Sequence, residues 1–374
     1  MRKLRTWIAV AFLFGLSNVA FACLWDSDTL LMERERFPDA QELIAGHFVR
    51  HSTAYYQWRL AARTKKESAD RTPSDFDDIA VAYEKLGRHE KAIDTIRAKM
   101  DRWPEKGQYK SHANLGTFYI HAGRLEEGLE EIRQAIELNP DAHFGREVYQ
   151  KLLVEYLLGL PDGPEQLPLS KREDSTNRGF AAFVLDAQGT EPADRAEELR
   201  AAAKGILGMM RFGNHNSPVL LEVLGDVLLG ENYEEDAKML AARAYLRASD
   251  EVSDPLVVAA YRQKAKQTLE MKVNWNIEDV EADLRAEIKQ GEELFRQIAD
   301  DEQAWAAAGQ NLDDRFADKY YASPKLALSH SRYSAPSNYQ VAAALATVLI
   351  ATITISIYAI YRIFFRRKSA AANG

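Results

Sequence analysis

Two histidines four residues apart, His47 and His51, are spaced as two nitrogen ligands on one helix face would be. A metalloprotease helix would place Glu after the first of them, and Phe48 stands there instead. No third or fourth ligand lies close by in sequence, so packing or surface placement is the plainer account. Asp26 and Asp28 form a D-x-D pair that can approach a cation, although helix capping or a solvated loop explains so common a pair. The single cysteine, Cys23, has no partner for an internal disulfide and can at most bridge two chains. There is no G-x-S-x-G, no G-x-x-x-x-G-K-S/T and no G-x-G-x-x-G. Asp and Glu number 56 among 374 residues, too many for any pair of carboxylates to be informative. No catalytic centre, metal or cofactor is assigned.

The elements that position these residues are helices. Alternating β-branched runs are few outside the C-terminal segment, and the class expected is all-α. The formal charge is −8 and no basic stripe interrupts it, which argues against a nucleic-acid partner. Glu126, Glu127 and Glu130 with Arg124 and Arg133 read as a solvated helix face.

One spacing organises the chain. Tyr83, Gly87, Ala92 and Pro104 recur 36 residues later as Tyr119, Gly123, Gly128 and Pro140. Ala80 and Gly116 are small where two helices of a hairpin must approach, and Ala92 and Gly128 answer them from the second helix. Gly87 and Gly123 suit a left-handed cap ending the first helix. Pro104 and Pro140 stop the second. The first copy, Pro73–Lys106, also carries Phe76, Ile79 and Ile96; the second, Tyr109–Ala142, carries Leu115, Ile132 and Ala135. On these residues the chain resembles the tetratricopeptide repeat, with a turn expected to be two residues longer than usual. Weaker copies are expected, because each repeat buries its apolar face only against neighbours. Leu152 and Tyr156 in Phe144–Leu160 fit a third first-helix. Pro218–Ser249 fits a divergent repeat, through Leu221, Leu224, Gly225, Leu228, Ala237, Ala241 and Ala244. Arg178–Met210 and Asp254–Met271 are helical in pattern. The fold expected is a helix-turn-helix solenoid ending in a single transmembrane helix.

The resemblance implies a concave groove lined by first helices. Matching positions put Asp77, Val81 and Glu84 there from the first copy, and Ala113, Asn114, Thr117 and His121 from the second. Some members of the family clamp a terminal carboxylate with Lys, Asn and Arg. Asn114 falls on one such position, but Asp77 and Val81 fall where Lys and Asn are needed, and Asp77 would repel a carboxylate. The partner implied is a protein or peptide, helical or extended, with apolar or basic side chains. The other candidate occupant is the chain's own Leu24–Lys66 segment.

Both ends carry targeting signals. Met1–Ala22 has a basic start, a short apolar stretch at Trp7–Leu16 and Ala20-Phe21-Ala22 as a cleavage site, the pattern of a secretory signal peptide. Cys23 follows directly, where a bacterial lipoprotein signal puts its acylated cysteine. Such signals usually carry Leu three residues earlier, where Ala20 stands, and Phe21 is bulky. Cys23 is a candidate for lipidation, with an unmodified cysteine as the plainer reading. Val341–Phe365 is uncharged until Arg362 and long enough to span a bilayer. Arg366, Arg367 and Lys368 beyond it place the tail in the cytoplasm and the bulk of the chain outside.

The organisation expected is a signal peptide (1–22), an N-terminal helical segment (23–72), repeats (73–160), divergent helical repeats (161–271), a capping helix (272–320), a flexible stalk (321–337), a transmembrane helix (338–365) and a tail (366–374). Within the capping segment, Ile277, Leu284, Gly291 and Ile298 recur every seven residues, beside Val280, Ile288 and Phe295. This stripe packs on the last repeat or pairs with a second copy in a homo-oligomer. The chain is similar to bacterial exported, membrane-anchored proteins of this repeat type, a similarity that implies a scaffold or adaptor and carries no activity over. A self-associating envelope protein is the second reading; an enzyme or metal carrier is a third.

Overall fold

The 36-residue offset is visible first in the turns. In a computed structural model of the chain, α3 (Pro73–Lys85) ends on Gly87 and α5 (Gln108–His121) on Gly123, both with left-handed backbone, φ 69° and 78°. Around each glycine the same two bonds close the helix. Arg88 N–H donates to Tyr83 O at 2.9 Å and Gly87 N–H to Glu84 O at 2.9 Å. Arg124 N–H donates to Tyr119 O at 2.8 Å and Gly123 N–H to Ile120 O at 3.0 Å. These are the two bonds that satisfy the last carbonyls of a helix before a glycine. Each turn then feeds a returning helix, α4 (His89–Arg102) and α6 (Leu125–Leu138). At its start, α3 is fixed by Pro73 in its first turn and by reciprocal bonds between Thr72 and Asp75.

The small residues do what their spacing requires. A Cβ on Gly128 would stand 2.8 Å from Gly116 O, and one on Gly116 would stand 3.0 Å from Gly128 O. The α5 and α6 backbones therefore touch, and Ile120 and Ile132 fill the space beside them. Ala80 and Ala92 hold the equivalent places in the first hairpin. They share one core with Val81, Ile93 and Ile96 and with Leu115, Phe118 and Tyr119 of the second. That shared core is why neither hairpin stands alone.

The structure describes residues 38–140, 145–170, 179–230, 235–270 and 276–327. They form helices, with no strand among them, and fall within one compact unit, residues 1–328. Before the repeats come α1 (Ala40–Ala45) and α2 (Thr53–Thr64). After them come α7 (Arg146–Leu158), α8 (Gly179–Ala187), α9 (Arg195–Phe212), α10 (Pro218–Leu228), α11 (Glu235–Asp250) and α12 (Pro255–Glu270). The helical pattern expected over Arg178–Met210 is broken in two. Gly189 turns the chain with φ 60° after α8, and Pro192 precedes α9. In the divergent hairpin α10–α11, Gly225 leaves room for the Tyr245 ring, which a Cβ would meet at 2.6 Å.

The long helix α13 (Ile277–Ala307) is capped by Asn276, whose side chain accepts from Glu278 N–H. It does more than cover the last repeat. It packs on α11 and α12 and also on α1 and α2, joining the two ends of the array. A short α14 (Leu312–Lys319) folds back, and Leu312 and Phe316 complete a core with Val49, Tyr55, Ile298 and Trp305. Of the flexible stalk expected from residue 321, the stretch 323–326 is held against the helices. Ser323 and Leu326 are buried, Val49 N–H donates to Ser323 Oγ at 3.1 Å, and Leu326 N–H donates to Glu42 Oε1 at 3.0 Å. The Glu42 carboxylate of α1 and the Val49 amide of the following loop hold this stretch in place; sequence composition does not report them.

Among the described residues no helix is long and apolar enough to cross a membrane. The signal peptide, Cys23, Asp26, Asp28, the remainder of the stalk and Val341–Phe365 lie outside the described residues.

Candidate functional site

The Gly87 turn brings the first residue of α4 back onto the last turn of α3. His89 Nδ1 lies 2.9 and 3.0 Å from the two oxygens of Glu84. From the end of α5, 37 residues along the chain, His121 Nδ1 approaches Glu84 Oε1 at 2.5 Å. The two rings are 6.3 Å apart and nearly perpendicular. Glu84 is buried, the His121 side chain is 8% exposed and the His89 side chain is 37% exposed. Burial pushes the Glu84 carboxyl up, but the bonds from His121 and His89 outweigh it and hold the group below the usual carboxylate range. The bond to Glu84 raises His89 against the opposing effect of its partial burial. His121 Nε2 is buried with no hydrogen-bond partner.

Glu84 and His121 were expected as separate positions along a groove. The structure joins them, and adds His89, which no spacing in the sequence marks. The others of the row are interior too. Val81, Asn114 and Thr117 are buried, and Gln150 on α7 donates to Thr117 Oγ1 at 3.2 Å. Asp77 is buried against the equally buried Lys99 of α4, with Nζ 2.6 Å from Oδ1. In this conformation these residues do not line an open ligand groove. The inner faces of α3 and α5 are covered within the same chain.

Part of the N-terminal segment named as a candidate occupant is inside the array. Helix α1 packs on α9, α11 and α13, with Leu43, Ile44 and Phe48 buried. The Arg211 guanidinium of α9 donates to Val49 O. His47 and His51 fall in the loop between α1 and α2, because Gly46 ends α1 with φ 72°. The shared helix face expected for them does not exist. His51 Nδ1 is instead 2.6 Å from Glu302 of α13.

Burial, working against the Lys99 charge, pushes Asp77 up to about 6 from 3.8. A raised carboxyl contributes its full stability below the unfolded value, and that contribution is lost as pH rises through the folded value. The melting temperature of the native protein should therefore fall relative to that of Asp77→Asn as pH rises from about 4 to about 6. Paired melting curves across that window check it, and a difference independent of pH would overturn it.

Cations gather near the end of α9. Burial, then Arg211 and Arg247, lower the Arg50 guanidinium to about 10. Burial, then Arg50, Arg247 and Lys85, hold His215 well below its ordinary value, which keeps the imidazole neutral.

Stacked helical hairpins with backbone-close crossings and a shared core define a helical repeat protein. The family model described as the tetratricopeptide repeat matches residues 109–142, which are α5, α6 and their flanks. The chain is also similar to the small glutamine-rich tetratricopeptide repeat-containing protein 2 of Mycosarcoma maydis, 27% identical over 116 residues. That similarity covers 31% of this chain and 29% of the relative's length. Residues 109–142 are a tetratricopeptide repeat, and the hairpin before them has the same turns 36 residues earlier. Proteins of this repeat type typically serve as non-catalytic scaffolds for protein partners.

Proposed function

We propose that the chain is a scaffold or adaptor that binds another protein or peptide, is held at the cytoplasmic membrane by Val341–Phe365, and works on the extracytoplasmic side. The tetratricopeptide repeat at 109–142 carries the binding half of this reading. The leader at Met1–Ala22, the apolar run and the basic tail support the placement. Because the inner faces of α3 and α5 are covered, the partner meets the outer surface first. Leu138 at the end of α6, 54% exposed, and Leu256 in α12, 81% exposed, are large apolar side chains turned to solvent there.

The second reading, self-association through α13, loses its surface. Val280, Leu284, Gly291 and Ile298 of the heptad stripe are buried in their own chain.

A photo-reactive residue at position 138 of the full chain, expressed in its own cells, should crosslink to one reproducible protein. The same residue at the buried position 118 should not. Recovery of the chain alone, or of nothing, overturns the scaffold reading. For the placement, protease added outside the cytoplasmic membrane should remove the repeat region, and full protection overturns it.

A further inference from the structure

We propose that Glu84, His89 and His121 form a binding site for a divalent transition-metal ion of the zinc type. Among the described residues these three are the group whose ligand atoms come together, all within 4.8 Å of one another. Two imidazole nitrogens and a carboxylate oxygen are a donor set that zinc takes with its fourth position open. Bond lengths of about 2.0–2.1 Å in a tetrahedron put ligand atoms about 3.3 Å apart. The present separations are 2.5 Å for His121 and 2.9–3.0 Å for His89. Each contact to Glu84 then opens by less than about an ångström, while the two imidazole nitrogens, within 4.8 Å of one another, close onto the ion. The ion takes the place of the ring N–H that faces Glu84 at each Nδ1; that proton passes to Nε2 of the same ring when the imidazole is neutral and leaves to solvent when it is charged.

The second observation is independent of that triangle. Nε2 of His121 is buried without a hydrogen-bond partner, although a buried ring nitrogen ordinarily has one. Nδ1 is the His121 atom that faces Glu84, and when a metal takes it Nε2 carries the ring proton, since the two ring nitrogens have distinct roles. The His89 side chain is 37% exposed, so water can reach the ion and complete its shell. Since the ligands come from α3, α4 and α5, the ion ties the first hairpin to the first helix of the second. The same geometry also describes a buried carboxylate shared by two histidines with no metal, and the experiment separates the two.

Purified full-length protein in detergent, stripped by chelator, is titrated with Co²⁺ alone. One equivalent should produce the visible absorption of a tetrahedral or five-coordinate site, and Zn²⁺ should bleach it. Zn²⁺ in hundredfold excess over its Kd should raise the melting temperature by about 5 °C. His89→Ala changes a half-exposed side chain, so the fold survives; it should lose the band and weaken binding at least about tenfold. His47→Ala should keep both. No band and no zinc-dependent melting shift in the native protein overturns the proposal without recourse to any variant. A band that survives His89→Ala and vanishes in His47→Ala overturns it as well.

Discussion

Replacing Lys264 by alanine should cost the fold about 3–5 kcal/mol, the price of leaving a buried carboxylate without its counter-charge. The ammonium of α12 sits 2.6 Å from Glu222 Oε1, 3.2 Å from Asp226 Oδ1 and 3.0 Å from Ser170 Oγ. Glu222, wholly buried on α10, also accepts from Leu169 N–H at 2.8 Å, Ser170 N–H at 3.1 Å and Tyr261 OH at 2.8 Å. Asp226 accepts from Tyr245 OH at 2.6 Å. Burial would lower the Lys264 ammonium, but Asp226 and Glu222 outweigh it and raise the group, so it stays charged. Without it, two carboxylates one helical turn apart share neutral donors only. Urea unfolding of the two proteins measures the loss. A double change, Lys264→Met with Glu222→Gln, should recover part of it, because one of the two buried carboxylates is then neutral and only Asp226 is left without the ammonium. A loss under about 1 kcal/mol would show that the neutral donors suffice.

The second large effect is expected at Gly291, near the middle of α13. A Cβ there would lie 2.6 Å from Ala45 O, 2.8 Å from Gly46 C and 2.9 Å from Gly46 O. These are backbone atoms of α1 and its cap, so no side chain can swing aside. Gly291→Leu must push α13 away from α1. One turn earlier Glu287 bonds to Gln41 at 2.8 Å and to the buried Arg243 of α11, and the displacement breaks those bonds too. Burial already pushes the Glu287 carboxyl up, against Arg243 and Gln41, so it tolerates the loss of partners poorly. The expected cost is about 3 kcal/mol, at the upper end for overpacking. Hydrogen exchange should show lost protection confined first to α1 and α13. Unchanged protection in both would mean that the helices separate freely, and that their contact is not what closes the array.

Local features of the fold were legible in the residues. Gly87 and Gly123 marked the turns because a left-handed cap has few other solutions. Gly116 and Gly128 marked the backbone contact because nothing larger fits there. The break between α8 and α9 was missed although Gly189 and Pro192 lie in it, since the apolar pattern runs on through both helices. His47 and His51 are packed in the interior, the plainer of the two accounts their spacing allows; they share no helix face because Gly46 ends the helix before them.

What the sequence by itself determined is the repeat: which residues are helical, where each hairpin turns and how closely its helices cross. These follow from bonds and contacts within some 40 residues, where spacing is a sufficient record. What only the tertiary structure decided is which faces are covered. Val49 receives Arg211 across 162 positions, Gln41 reaches Glu287 across 246, and Leu326 returns to Glu42 across 284. Through such pairings the row from Asp77 to His121 becomes interior, and Glu84, His89 and His121 become one cluster. Partners so distant in the chain leave no period in it, because their meeting depends on the summed twist of every hairpin between them.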